Sequence, residues 1–225
     1  MTAPFDPAMA HRYPPLIGCD EAGRGALCGP VVVAAVWFDP TAIPPDLLGA
    51  LDDSKKLAAK VRERLAGEIM RVARVAVAAS SASRIDGHGI RTVTLDAMRR
   101  AVLRLGIGCP VRIDGLDIPP GIDLPCEAVV RGDGLVPQIA AGSIIAKTCR
   151  DRIMTRLSAR HDGYRWERNA GYGTADHLAA LSLLGPSRHH RRTFRPVSQA
   201  WLPLGGIEPA EGITSVADVI LADTA

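Results

Sequence analysis

The apolar residues of this chain fall into two kinds of run. Short runs rich in β-branched residues occur at Leu16-Ile17-Gly18-Cys19-Asp20, Val31 to Phe38, Arg74 to Ser80, Val111 to Asp114 and Glu127 to Arg131, and predict five strands. Val31 to Phe38 is apolar without a break, the pattern of a strand buried on both faces. Apolar residues at three- and four-residue steps predict helices over 58–73, Ile90 to Leu105, Gln138 to His161 and Ala175 to Leu184. Gly106 stops the second of these and Gly185-Pro186 the last. The order β-β-α-β-α-β-β-α-α predicts an α/β fold, a mixed sheet with helices packed against it. Residues 1–15, with Pro4, Pro7, Pro14 and Pro15, are expected to form a mobile arm. Residues 198–225 are expected to form a C-terminal tail, a helical appendage to the fold.

Composition narrows the class without naming a function. The 225 residues lie between one large domain and two small ones at ~150 residues each, and 47% hydrophobic content is that of a globular chain. With aromatics at 4%, the core must be built from Ala, Val, Ile and Leu. Lys and Arg number 27 against 24 acids, a net charge of +3 that suits a nucleic-acid partner without demanding one. The longest apolar run falls well short of the ~18 residues that span a bilayer. No apolar segment near the start resembles a secretion signal, so no membrane association is expected. Cys19, Cys28, Cys109, Cys126 and Cys149 are odd in number and contain no CxxC pair. This argues against a disulfide framework or a zinc site, and for a reducing, cytoplasmic location.

The candidate chemistry lies at strand ends. Asp20-Glu21-Ala22-Gly23-Arg24-Gly25 places two acids where a strand meets glycines that permit a bend. Asp114, in Ile113-Asp114-Gly115, and Asp133, in Gly132-Asp133-Gly134, each follow another strand in the same way. Strand ends on one edge of an α/β sheet share a crevice. Carboxylates gathered there repel one another and raise their own pKa values unless a cation intervenes. Hard oxygen donors favour Mg²⁺ or Mn²⁺ over zinc, and a pair of such ions can run phosphodiester hydrolysis. A solvated acidic turn is the plain alternative for the Asp20-Glu21 pair.

Other readings of these residues are weaker. Gly23, Gly25 and Gly29 miss the GxGxxG spacing, and a strand follows them where a dinucleotide loop needs a helix. Ser54 and Ser143 have no neighbouring His and Asp to make a serine nucleophile. Lys55-Lys56, Lys147 with Arg150 and Arg152, and Arg188 to Arg195 with His189 and His190 read as a phosphate track, or as solvated faces. Tyr172, between Gly171 and Gly173, is poorly placed as core and well placed to stack on a sugar or base. His88, His161 and His177 read as surface or packing histidines rather than metal ligands.

The chain resembles the bacterial ribonuclease HII family. The resemblance is carried in order by Gly18 to Gly25, Leu27-Cys28-Gly29-Pro30, Asp53 to Leu57, Ile113-Asp114-Gly115, Arg131-Gly132-Asp133, Ala141 to Lys147 with Arg150-Asp151-Arg152, Gly171 to Thr174 with His177, and His190-Arg191 with Phe194 and Pro196. It implies a ribonuclease H-like catalytic domain over residues 16–197, with a mixed sheet flanked by helices. It further implies an endonuclease, acting as a monomer, that hydrolyses the RNA strand of RNA–DNA hybrids. The same family reading includes cleavage 5′ of a single ribonucleotide embedded in duplex DNA, as in ribonucleotide excision repair, leaving 5′-phosphate and 3′-hydroxyl ends. By the family pattern Asp20, Glu21, Asp114 and Asp133 bind two manganese or magnesium ions. Gly23, Arg24, Gly25 and Tyr172 sense the ribose 2′-hydroxyl, the group that distinguishes RNA from DNA. Lys56, Ser143 and Lys147 are further substrate contacts.

Three departures accompany the resemblance. Arg168-Asn169-Ala170 stands where many relatives are basic, and Arg131 where Lys is common. A 15-residue arm also leaves no room for the N-terminal extension of ribonuclease HIII. Two rival readings stay open from sequence: a nucleic-acid-binding module without activity, and a nuclease of the same fold with no ribose requirement.

Overall fold

The computed structural model describes residues 4–200. The chain runs β1 (Leu16–Ala22), β2 (Val31–Phe38), α1 (Pro45–Ala50), α2 (Ala59–Val72), β3 (Arg74–Ser80), α3 (Ala82–His88), α4 (Ile90–Leu105), β4 (Val111–Asp114), β5 (Cys126–Val129), α5 (Pro137–Ser158), α6 (Trp166–Asn169), α7 (Ala175–Leu184) and α8 (Arg195–Ala200). The strands form one sheet in the order β3-β2-β1-β4-β5. β1, β2 and β3 pair antiparallel, whereas β1, β4 and β5 run parallel, so β1 and β4 end side by side.

The side-chain period of the strands sets the layers. On β2, Ala34, Val36 and Phe38 face α1, α2 and α5, while Val33 and Ala35 face α4. Both faces of that strand are covered, as its unbroken apolar run predicts. Ile139 to Ala146 of α5 are buried throughout, and the helix can lie on β1 because glycines meet at the crossing. A Cβ on Gly18 would stand 2.1 Å from the Gln138 carbonyl carbon, and one on Gly142 would stand 3.2 Å from the Ala34 carbonyl oxygen. Gln138, buried in this contact, donates to the carbonyls of Pro14 and Phe38, both at 3.1 Å.

The sequence pattern locates every strand and the four long helices, with differences at the ends. β1 continues past Asp20 because Glu21 and Ala22 still pair with Val33 and Val32. β5 stops at Val129, since Arg131 turns to the left-handed φ of 55° and a 3-10 turn follows over Gly132–Gly134. The helices α1, α3, α6 and α8 are too short to show a period. The segment expected to be a mobile arm is docked instead from residue 4 onward. Phe5 is 1% exposed, its ring packs edge-on against Tyr13 at 5.8 Å, and Asp6 caps a 3-10 helix over Pro7–Arg12. Of the tail expected over 198–225, residues 198–200 close α8, and the rest lies outside the described residues. The five cysteines are unpaired, and no helix among the described residues is long and apolar enough to cross a membrane.

Candidate active site

The parallel register of β1 and β4 brings the acids together. Asp20 follows Cys19, which pairs with Ile113, and Asp114 follows Ile113. Asp20 is 4% exposed and points toward α5, where the Ser143 hydroxyl hydrogen-bonds it. Burial, with the charges of Glu21 and Asp114, pushes its pKa well up, and the bonds from Ser143 and the Glu21 N–H (2.6 Å) only partly offset this. Glu21 lies on the opposite face of the pleat, 3.9 Å from the Arg24 guanidinium. Burial raises it, with Asp114 adding and Arg24 and Lys55 opposing. Asp114 accepts the Gly132 N–H at 2.7 Å, which fixes the turn carrying Asp133. Asp133 is raised by burial, Asp53 and Asp114, with Lys55 opposing.

Lys55, expected only as part of a phosphate track, is also an electrostatic neighbour of the acids. Partial burial lowers its pKa, but Asp53, Asp20, Asp133 and Asp114 together carry it above the usual value. Its ammonium therefore belongs to the acid cluster, whereas Lys56 bonds to Asp52 at 2.9 Å with its side chain half-exposed. The available signal was the acidic pair Asp52-Asp53 just ahead of it. The loop is tied to α5 by the buried hydroxyls of Ser54 and Ser143, 2.9 Å apart. Among the described residues no three acids, histidines or cysteines converge as a ready ligand set. The donor chemistry nevertheless fits a hard divalent cation: oxygen donors only, in mutual repulsion that a cation relieves.

A second group of residues forms the neighbouring wall. Gly23 has φ +90°, and a Cβ there would meet the Arg150 Nε at 1.8 Å. Arg150 donates to the carbonyls of Pro30 (2.9 Å), Cys28 (3.0 Å) and Ala170 (2.7 Å). Arg191 donates to those of Gly23 (2.7 Å), Arg24 (2.8 Å) and Gly29 (3.0 Å). Burial lowers the pKa of both, and that of Arg191 to about 9 with Arg150's charge beside it. Gly25 has nothing within 4 Å of where its Cβ would be, so its backbone is open to a ligand. Arg24 keeps its side chain half-exposed.

Tyr172 sits on a turn bonded to the end of this loop, the Gly171 carbonyl accepting the Leu27 N–H at 2.8 Å. Its ring lies 5.7 Å from the Lys147 Nζ and 5.2 Å from the Arg150 guanidinium carbon. Gly171 must be glycine, because its φ is +76° and a Cβ would lie 2.6 Å from the Cys28 carbonyl oxygen. Lys147 also bonds to Asp151 at 2.6 Å. Asn169 is buried. It donates to the Tyr164 carbonyl and accepts the Gly171 N–H, both at 2.8 Å, so it shapes the Tyr172 turn.

Three members of the expected phosphate track are corrected by their burial. Arg150 and Arg191 are fully buried and His190 is 1% exposed, so they hold backbone rather than face a substrate. Their signal in sequence, a basic run, does not separate a cation that caps carbonyls from one that meets phosphate.

A central antiparallel hairpin continued by parallel strands, with acids where β1 and β4 end, defines a ribonuclease H-like fold. The sequence matches the family Ribonuclease HII over residues 17–197. It is 50% identical over 184 residues to the ribonuclease HII of Rhizobium leguminosarum bv. trifolii, a match covering 81% of this chain and 79% of that one. The chain belongs to the ribonuclease HII family. Its fold is similar to the structure of the PCNA:RNase HII complex from Archaeoglobus fulgidus, with a TM-score of 0.68, 28% identity, and coverage of 83% of this chain and 97% of that one. Bst-RNase HIII in complex with Mn²⁺ shares the fold at a TM-score of 0.65 and 21% identity, covering 85% of this chain and 71% of that one.

Proposed function

We propose that this protein is a divalent-metal-dependent endonuclease that hydrolyses the RNA strand of RNA–DNA hybrids. It also cuts 5′ of a single ribonucleotide embedded in duplex DNA and leaves 5′-phosphate and 3′-hydroxyl ends. The observation that carries the reading is the shared Coulombic neighbourhood of Asp20, Glu21 and Asp114, extended by Asp133 through Asp114. Asp20, Glu21, Asp114 and Asp133 would hold two Mn²⁺ or Mg²⁺ ions, which supply an activated water and charge stabilisation at the leaving oxygen. The Mn²⁺ complex of the Bst-RNase HIII relative supports that choice of metal.

The chain's own groups account for the rest. Lys55 offsets the acids' repulsion and offers positive charge to an approaching phosphate. The backbone of Gly23, Arg24 and Gly25 reads the ribose, and Tyr172 supplies a ring to stack on the sugar and a hydroxyl to bond it. Lys56 and Lys147 contact phosphates. Ser143 orients Asp20. Catalytic activity in the bacterial cytoplasm by a monomer is part of the same reading.

Purified protein with Mn²⁺, given a duplex carrying one ribonucleotide, should cut it 5′ of that residue, with the ends mapped as above. No cutting in any divalent metal would leave a binding module. Equal cutting of the all-DNA duplex would remove ribose recognition.

A further inference from the structure

His190 and Arg191 are consecutive and both buried, and their side chains lead to two different parts of the candidate site. Their segment is laid against the loop of residues 27–29: Arg191 N–H donates to the Leu27 carbonyl at 2.8 Å, and Gly29 N–H to that of His189 at 2.9 Å. From there the Arg191 guanidinium takes the carbonyls of Gly23, Arg24 and Gly29. That fork fixes the curvature of the glycine loop from behind, on the side away from a substrate.

The His190 ring works in the other direction, and its hydrogen bonds allow one proton arrangement. His177 Nδ1 lies 2.9 Å from the Tyr172 carbonyl, an acceptor only, so Nδ1 carries the proton. His177 Nε2 must then accept, which it does from the Trp166 indole N–H at 3.1 Å. His190 Nε2, also 3.1 Å from His177 Nε2, must donate to the same lone pair, which the indole and the imidazole share. His190 Nδ1 in turn accepts the Ser187 N–H at 2.9 Å. The chain Ser187→His190→His177→Tyr172 is complete with both imidazoles neutral. Tyr164 and Trp166 stack at 4.9 Å and wall it in.

We propose that the His190-Arg191 step is a positioning strap for ribose recognition, with Arg191 setting the Gly23-Arg24 backbone and His190, through His177, setting Tyr172. This rests on the reading of the glycine loop and Tyr172 as the ribose-binding walls. Neither strap residue hydrogen-bonds the acids or the candidate phosphate contacts Lys55, Lys56 and Lys147, although Lys147 lies 5.7 Å from the Tyr172 ring. Loosening the strap should therefore misplace the sugar during the reaction while leaving substrate affinity nearly intact.

Steady-state cleavage of a hybrid by Arg191→Lys, His190→Leu and His190→Gln tests it, with folding checked by thermal melting. Arg191→Lys loses the fork, and His190→Leu loses the donor to His177. Each should lower kcat at least tenfold with KM within threefold of wild type. His190→Gln puts an amide N–H in place of Nε2–H and should recover kcat to within threefold. Folded Arg191→Lys or His190→Leu with wild-type kcat, or with only KM raised, overturns the strap. Should those variants not fold, histidine ¹⁵N spectra of the wild type decide. His177 must be protonated at Nδ1, and its signal must move when a hybrid is added without divalent metal; the other tautomer or an unmoved signal overturns the proposal. Wild-type protein that cuts no hybrid removes the functional reading and the strap with it, whereas a cutting wild type beside indifferent folded variants removes the strap alone.

Discussion

Cys19 and Ile113 face each other in the parallel register of β1 and β4, and the next residue on each strand is an acid on the same face of the sheet. Asp20 and Asp114 are thus set together by backbone pairing rather than by flexible loops. Two carboxylates so placed, one of them buried, are costly unless protonated or bridged by a cation.

That cost predicts a trade between stability and activity at Asp20. Its pKa is raised in the folded state. Above that pKa the native protein therefore holds a charge the unfolded chain carries more easily, and stability falls as pH rises through it. Asp20→Asn keeps an oxygen for the Glu21 N–H but removes the charge. In metal-free buffer at pH 7–8 the variant should melt higher than wild type, and the gap should close as pH falls below the folded pKa of Asp20. Its cleavage of hybrid should drop by about a thousandfold or more, roughly 4 kcal/mol of transition-state stabilisation, with hybrid binding nearly unchanged. A variant that cuts like wild type, or melts lower at every pH, refutes the account.

Gly23 makes a sharper structural prediction. Its φ of +90° is strained for any residue with a Cβ, and that atom would overlap the Arg150 guanidinium. Left-handed strain costs about 1–2 kcal/mol and the overlap about 1–3 more. Gly23→Ala should lower stability by a few kcal/mol in denaturant titration. Gly25→Ala, with nothing near its Cβ, should change stability by less than about 1 kcal/mol yet impair cleavage. Equal stabilities for the two variants would contradict the clamp.

Most of the fold was legible because the strands and long helices bury continuous stripes, which periodicity reports directly. The strand-end placement of Asp20, Glu21, Asp114 and Asp133 was legible for a related reason: each lies at or just past the end of an apolar strand, with glycine close behind. Lys55, Arg150, His190 and Arg191 were not. In sequence each is a cation or histidine in a polar stretch, and its role depends on which backbone carbonyls or acids the fold delivers to it. The docked segment at residues 4–15 was missed because its one core anchor, Phe5, has no periodic neighbours. The fully buried His177 reads no differently from a surface histidine on a helix.

Tyr172 should divide its contribution between ring and hydroxyl. The ring is held beside Lys147 and Arg150, so Tyr172→Phe keeps the stacking surface and loses one hydrogen bond, worth about 1 kcal/mol. kcat/KM on a one-ribonucleotide duplex should fall about fivefold. Tyr172→Ala, which loses both, should fall well over tenfold. An alanine variant as active as wild type takes this tyrosine out of the site.

The buried histidines predict a loss of stability in mild acid. Burial lowers the pKa of His190 to about 3, with the neighbouring His177 contributing, and that of His189 to about 4, while His177 is also lowered. In the unfolded chain these residues protonate near 6.5. Below that value the unfolded state binds protons that the native state refuses, so stability declines as pH falls from about 6.5 and levels off only below the native values. His190 alone should account for about 1–2 kcal/mol between pH 7.5 and 5. Denaturant unfolding at the two pH values measures the drop, which should shrink in His190→Gln, whose side chain does not titrate. Asp20 and Glu21, raised in the folded state, act in the opposite sense. The comparison is therefore made within the Asp20→Asn background, where only the histidine effect and that of the remaining acids survive. An equal loss on acidification with and without His190 would mean that this ring takes up its proton as freely folded as unfolded.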